Sequence, residues 1–160
     1  MLVYRIGKKE YVKRLDGKGG LMVEGRWHTR GHEIIYTSQT LSLCLWEIFK
    51  IHNLQLIPDG IMGITLEIPA ELILPVDKKL FREGWNRPGI YDPVIQHYGD
   101  RWLMDQSSLA LEVPSAVVPG DKNYLINPNH KDMHLVKISS VFEIDIEQGY
   151  MNIRESVSEG

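Results

Sequence analysis

Between Leu41 and Phe49 the chain reads Leu-Ser-Leu-Cys-Leu-Trp-Glu-Ile-Phe, and Glu47 is the only charged residue in that run. A carboxylate inside an apolar stretch needs an account, because burying it unpaired costs several kcal/mol or shifts its pKa. Ser38 or Thr40 is placed to cap a helix over about residues 39–53 that ends before Pro58. Glu47 then either lies on the wet face of an amphipathic helix or lines a pocket and meets a ligand there. The residues around it have to decide between the two.

The rest of the sequence is cut into short apolar pieces. Leu2–Ile6 alternates as a short strand, and Tyr11–Leu15 fits a helical turn or a second strand. Asp16-Gly17-Lys18-Gly19-Gly20 breaks the pattern as a turn or open loop. Ile34–Thr37 joins β-branched and aromatic residues in a strand, and Ile61–Ile68 alternates as a strand with one buried face. Glu71–Val76 suggests another. Gly84, Pro88, Gly89 and Pro93 make Phe81–Tyr98 a loop with a short helix after Asp92.

Val113–Pro119 reads as a strand bounded by prolines, and Tyr124–Pro128 as a short strand after a Gly120-Asp121 turn. Leu135–Ile138 and Val141–Ile146 complete the set. The pattern predicts one α+β domain over residues 1–150, with many short strands and few helices. The charged tail 151–160 has little to bury and is expected to fray.

Composition excludes several classes. At 160 residues and 43% hydrophobic, the chain suits one soluble domain with an ordinary core. Its net charge of −3, with acids and bases mixed, argues against a nucleic-acid binder. The single cysteine, Cys44, leaves no internal disulfide and suits a reducing compartment. The start lacks a long apolar run with a cleavage site, and no stretch approaches the roughly 18 apolar residues that span a bilayer. A cytoplasmic location is the expectation.

Short motifs stand in a telling order: Gly25-Arg26-Trp27, Ile35-Tyr36-Thr37-Ser38, the helix with Glu47, Gly99-Asp100-Arg101-Trp102, Leu111-Glu112-Val113-Pro114-Ser115-Ala116 and Asn123-Tyr124-Leu125-Ile126-Asn127-Pro128. Together they resemble the RES domain family, named for an Arg, a Glu and a Ser that would here be Arg26, Glu47 and Ser115. The likeness runs over about residues 2–146. One departure is His28, where the family usually has Asn. The tail carries no motif of the family.

The resemblance implies an ADP-ribosyltransferase-like split antiparallel sheet and the toxin of a bacterial toxin–antitoxin pair. Such a toxin cleaves NAD⁺ between nicotinamide and ribose, as a glycohydrolase or phosphorylase. The closest rival is a mono-ADP-ribosyltransferase acting on a protein with the same residues. A non-catalytic binding module on the same fold is a rival of another class, and the intact Arg26, Glu47 and Ser115 argue against it. An RNA-cleaving toxin is disfavoured by the acidic balance. The implied partner is an antitoxin with a helix-turn-helix (Xre-like) domain that occludes the active site, in a complex that leaves room for a homo-oligomer. Neither direct nucleic-acid binding nor membrane attachment is expected.

The residue types suit that chemistry. Nicotinamide is already a cationic leaving group, so NAD⁺ is a substrate and neither a metal nor a further cofactor is called for. Positive charge develops on the ribose, and a fixed carboxylate complements it. Glu47 takes that role. Arg26 offers a planar guanidinium for the pyrophosphate. Ser115 lacks the Gly-x-Ser-x-Gly elbow of a nucleophile and is assigned to ligand contact. Tyr36 is placed to stack on nicotinamide and Asn127 to contact the substrate, although Asn before Pro commonly forms a turn. The six histidines do not form a zinc motif, and the glycines form neither a P-loop nor a dinucleotide fingerprint.

Overall fold

The computed structural model describes residues 1–51, 60–147 and 150–155. Eight strands form one sheet: β1 (Leu2–Lys8), β2 (Ile35–Ser38), β3 (Ile61–Glu67), β4 (Ile73–Pro75), β5 (Ala110–Pro114), β6 (Lys122–Ile126), β7 (Lys137–Glu147) and β8 (Tyr150–Glu155). Among the described residues three α-helices accompany them: α1 (Gly19–Met22), α2 (Leu41–Ile51) and α3 (Pro93–Asp105). This is the expected α+β domain.

The strand order is β4-β5-β6-β2-β1-β3-β7-β8, antiparallel throughout except for the β4–β5 pair. One seam is weak. Seven residue pairs join β1 to β3, from Leu2↔Glu67 to Lys8↔Ile61, whereas β1 and β2 meet only at Tyr4↔Ser38. From that point the two strands diverge, and the sheet splits into two halves. A wedge between strands cannot be left dry and empty, because each strand edge carries hydrogen-bonding backbone groups. That opening is where the site lies.

The core follows the period-2 rule on both faces of the sheet. Met62, Ile64 and Leu66 of β3 join Ile35, Ala110, Tyr124 and Ile126 in one cluster. Ile34, Leu111, Val113 and Leu125 pack with Trp27 and the α3 residues Ile95, Trp102 and Leu103 in a second. Adjacent residues such as Leu125 and Ile126 thus serve opposite faces.

Helix boundaries follow local chemistry. Thr40 caps α2, its Oγ1 accepting from the Leu43 N–H at 3.1 Å. Asp92 caps α3, accepting from the Val94 N–H at 2.9 Å, with Pro93 in the first turn. At 13 residues α3 is longer than the short helix expected there, because Gly99 is tolerated inside it for packing. A Cβ at Gly99 would overlap the carbonyl oxygen of Trp27, so glycine lets the 25–29 segment lie directly on the helix.

Three expectations need correction. The strand near Val113 ends at Pro114, and residues 116–119 form bends and a turn instead, because Ser115 Oγ accepts from the N–H groups of Val117 and Val118. The two strands predicted after Leu135 are one, β7, with the register shift against Thr65 and Leu66 absorbing the break in pattern. Residues 151–155 extend the sheet as part of β8, paired from Phe142↔Glu155 to Glu147↔Tyr150, so order continues beyond residue 150. Residues 52–53 of the expected helix and 156–160 of the tail lie outside the described residues. Among the described residues no helix is long and apolar enough to cross a membrane.

Candidate active site

The split between β1 and β2 opens into a cleft of about 780 Å³, lined from both strands and from the 11–28 segment. That volume suits a ligand of ordinary metabolite size.

Glu47 projects into it from the middle of α2. Leu43 and Leu45 of that helix are buried and Trp46 is exposed, so the helix faces the sheet with one side and solvent with the other. Glu47 falls between, half-buried. Its Oε1 accepts from Asn123 Nδ2 at 2.8 Å and from the Ser115 hydroxyl at 3.4 Å. Two donors from separate strand ends hold one carboxylate oxygen in place. A carboxylate only accepts, so the amide nitrogen of Asn123 must be the atom facing it. The other end of that amide, Asn123 Oδ1, is buried without a hydrogen-bond partner among the described residues.

Ser115 is itself buried, and its oxygen accepts from the Val117 and Val118 N–H groups at 3.1 Å each. With its lone pairs so occupied, its hydroxyl proton is directed to Glu47. Ser115 therefore orients the carboxylate rather than facing the cleft, whose lining comes from its neighbours Pro114 and Ala116.

Arg26 also lines the cleft, but most of its donors are committed. Its two terminal nitrogens donate to the carbonyl oxygens of Trp85, Ile90 (3.2 Å) and Arg87 (3.1 Å). The guanidinium lies over the rings of Trp85 and Tyr91, at 5.8 and 5.5 Å from their centroids. Burial lowers its pKa, opposed by Tyr91, Glu47 and Tyr36. Arg26 thus pins the 85–91 loop and brings Tyr91 to the cleft wall. Among the described residues, Nε–H and one terminal N–H make no hydrogen bond.

Tyr36, 38% exposed, lines the cleft, while its hydroxyl meets His28 Nδ1 at 2.7 Å. The other ring nitrogen, Nε2, lies 3.0 Å from the Val23 carbonyl, which can only accept, so Nε2 carries a proton, and in the neutral ring Nδ1 accepts from Tyr36. Burial lowers the His28 pKa, which favours that neutral form. Burial also pushes the Tyr36 phenol up, well above its ordinary range. His28 fixes the direction of the cleft's aromatic hydroxyl.

The 25–29 segment is held by α3. Gln96 Nε2 donates to the Gly25 carbonyl at 2.9 Å, and both carboxylate oxygens of Asp100 accept from Thr29, at 2.9 Å from its N–H and 2.7 Å from its hydroxyl. This explains the Gly99-Asp100 motif as structural support. Cys44 lines the cleft one turn before Glu47, but its thiol donates to the Tyr4 carbonyl and burial pushes its pKa up to about 11. It is not a nucleophile at neutral pH.

The structure thus brings Arg26, Tyr36, Glu47 and Ser115 together and leaves Asn127 apart. Asn127 is buried with Nδ2 on the Leu103 carbonyl at 2.9 Å and Oδ1 accepting from Asn129 N–H at 3.0 Å, joining the end of α3 to the turn after β6. The residue that meets the site is Asn123. It stands in the same Asn-rich motif, but its partner Glu47 is 76 residues away, and only the β6 register reveals the pairing. Among the described residues no three His, Cys, Asp or Glu side chains gather as a metal site.

Comparison with known proteins agrees with this architecture. Residues 2–147 match the RES domain. The chain is 30% identical over 136 residues to Toxin Res of Photorhabdus laumondii, covering 84% of this chain and 86% of that one. It is 31% identical to Toxin Res of Pseudomonas putida, covering 86% and 92%. The Prs ADP-ribosylating toxin of Sphingobium sp. is 28% identical, over 79% and 80%. Among solved structures, the M. tuberculosis MbcT-MbcA toxin–antitoxin complex contains a chain of similar fold, with a TM-score of 0.66 and 14% identity over 89% of this chain and 82% of that chain. On the family match over nearly its whole length, this chain belongs to the RES domain family.

Proposed function

We propose that the chain is the toxin of a toxin–antitoxin pair and that its cleft breaks the bond between nicotinamide and ribose in NAD⁺. The observation that carries this reading is Glu47: a carboxylate on the wall of the cleft, held on one oxygen by Asn123 and Ser115, with Oε2 making no hydrogen bond among the described residues. In the reaction the C1′–N bond breaks with its electron pair going to nicotinamide, which leaves neutral. The ribose becomes an oxocarbenium-like cation, which the fixed carboxylate stabilises. Water or phosphate then adds at C1′, and water loses a proton on doing so. The exposed rings of Tyr36 and Tyr91 offer flat apolar surface for nicotinamide.

Transfer of ADP-ribose to a protein acceptor is the second reading, favoured by the likeness to the Prs ADP-ribosylating toxin of Sphingobium. It uses the same bond cleavage and differs only in the nucleophile. A toxin of either kind needs silencing, and an antitoxin with a helix-turn-helix domain seated over the cleft would supply it. The likeness in fold to a toxin from a toxin–antitoxin complex supports a partner of that type.

The direct test is nicotinamide release from NAD⁺ by the purified chain, with Glu47→Gln as the companion. Glu47→Gln is expected to retain the fold and slow release at least about tenfold, toward the range for loss of one transition-state partner. A folded Glu47→Gln protein with wild-type turnover would sink the assignment. In bacteria the chain alone should stop growth and lower NAD⁺, with the neighbouring gene reversing both.

A further inference from the structure

The two edges of the sheet are built differently. β4 closes one end with only Ile73–Pro75, and its last residue has no N–H to offer another strand. Short length and a proline are the usual devices that keep an edge from pairing with a further chain. β8 closes the other end with the longer Tyr150–Glu155 and has neither device. It holds no proline and no glycine, and its pairing with β7 runs from Phe142↔Glu155 to Glu147↔Tyr150 without a bulge. Among the described residues no strand pairs with its outer side. Alternate residues of an antiparallel edge strand turn their N–H and C=O groups outward, where they can serve another strand.

The side chains of β8 are matched to such a strand. Tyr150, 75% exposed, shares one face with Asn152 and Arg154, whereas Met151, Ile153 and Glu155 share the other. On that second face Ile153 stands in register with the buried Ile144 of β7, so the apolar layer of the sheet runs out to a bare edge where Ile153 is 48% exposed. Two copies related by a twofold axis normal to the sheet pair antiparallel, with opposed residues on the same face. One residue must then face its own copy at the axis, which leaves few registers. With Asn152 at the axis, Tyr150 stands opposite Arg154 of the second copy and Met151 opposite Ile153 of the second copy. A ring meets a cation, apolar meets apolar, and no like charges meet. With Ile153 at the axis, Met151 would face a Glu155 carboxylate, and Tyr150 would lie beyond the paired stretch Met151–Glu155. Axes nearer either end shorten the overlap.

We propose that β8 is a docking edge for a second copy of this chain, which adds antiparallel about Asn152 so that one sheet continues across both copies. β3 and β7 separate this edge from β1, so the dimer leaves the cleft between β1 and β2 open in each copy. A contact made by one strand from each side is small, and the dimer is correspondingly weak.

Sedimentation equilibrium of the purified chain from about 5 to 500 µM tests this, with a dimer Kd on the order of 10–100 µM expected for a contact of that size. A chain still monomeric at the highest concentration overturns the proposal. Tyr150→Arg sets like charges against Arg154 of the second copy at both ends of the pairing, and should weaken the dimer about tenfold or more. Tyr150 is exposed, so the fold does not depend on its ring. A dimer of unchanged affinity in Tyr150→Arg would place the contact elsewhere and overturn the proposal. Cysteine cross-linking checks the register. Facing residues of an antiparallel pair have Cα atoms about 4.5–5.5 Å apart, so Asn152→Cys should form disulfide-linked dimers under mild oxidation. The two copies of residue 153 lie diagonally, beyond the roughly 7 Å that a disulfide can bridge, so Ile153→Cys should not. Wild-type protein gives the background, because Cys44 is buried. Cross-linking of Ile153→Cys without cross-linking of Asn152→Cys overturns the pairing about Asn152. Neither readout involves NAD⁺, so the result stands apart from the enzymatic reading.

Discussion

Replacing Asn123 by Ala separates the catalytic grouping from the stability of the fold. The substitution deletes the 2.8 Å donation to Glu47 Oε1, a bond to a charged acceptor. Such a bond is worth about 1.5–3 kcal/mol. It also deletes Asn123 Oδ1, a buried acceptor with no partner among the described residues, whose lost hydration costs about 1–3 kcal/mol in the native state. The two terms oppose each other, so the net change in stability should stay within about 2 kcal/mol. The backbone pairing of residue 123 with Ser38 and Val113 does not depend on the side chain.

Activity has no such offset. Glu47 keeps only the Ser115 hydroxyl at 3.4 Å, a weak hold, and must then be oriented during the reaction itself. A loss of about 1.4 kcal/mol of preorganisation corresponds to a tenfold slower reaction. The assays are nicotinamide release from NAD⁺ and a urea unfolding curve on the same preparation. A fall in urea stability above about 2 kcal/mol with an unchanged rate per folded molecule would refute the reasoning, because Asn123 would then be a structural residue.

Other perturbations test other parts of the site. Arg26→Lys keeps a charge but loses the planar fork that reaches three carbonyls, so urea stability should fall by about 1–3 kcal/mol and the 85–91 loop should become more sensitive to protease; unchanged stability would remove Arg26 as the loop's anchor. Burial lowers the folded-state pKa of His28 below its ordinary 6.5, so between those values the unfolded chain binds more protons. Its contribution to stability is then full above about pH 6.5 and is lost as pH falls toward the folded-state value. Urea midpoints taken at pH 7.5 and 5.5 should therefore differ more for the wild type than for His28→Gln, and an equal acid sensitivity in the two would count against a buried neutral His28. Tyr36→Phe removes the hydroxyl that His28 directs but keeps the ring, so it should leave NAD⁺ affinity within about threefold if stacking is the ring's role; a loss of about tenfold would assign the hydroxyl itself to the ligand.

Much of this protein is legible in its sequence wherever the deciding forces are local. Asp92-Pro93 announces a helix start because a carboxylate capping the first turn and a proline lacking N–H act within two residues. The pattern along Ile61–Ile68 gives the strand β3. The expected single buried face is corrected by the fold, because Ile61 through Leu66 are all buried in the middle of a sheet covered on both sides. The ordered motifs around Arg26, Glu47 and Ser115 likewise identify the family without coordinates. The tertiary structure decided what depends on distant partners. The cleft exists because β1 and β2 part after Tyr4↔Ser38, and neither strand carries a local mark of that divergence. Arg26 reads as a free cation until the carbonyls of Trp85, Arg87 and Ile90 are seen to take three of its five N–H donors. Asn127 and Asn123 are equivalent letters in one motif, yet one ties α3 to a turn and the other holds the carboxylate. Propensity and periodicity reach only a few residues along the chain, whereas Asn123 and Glu47 meet across 76 residues through the register of a folded sheet.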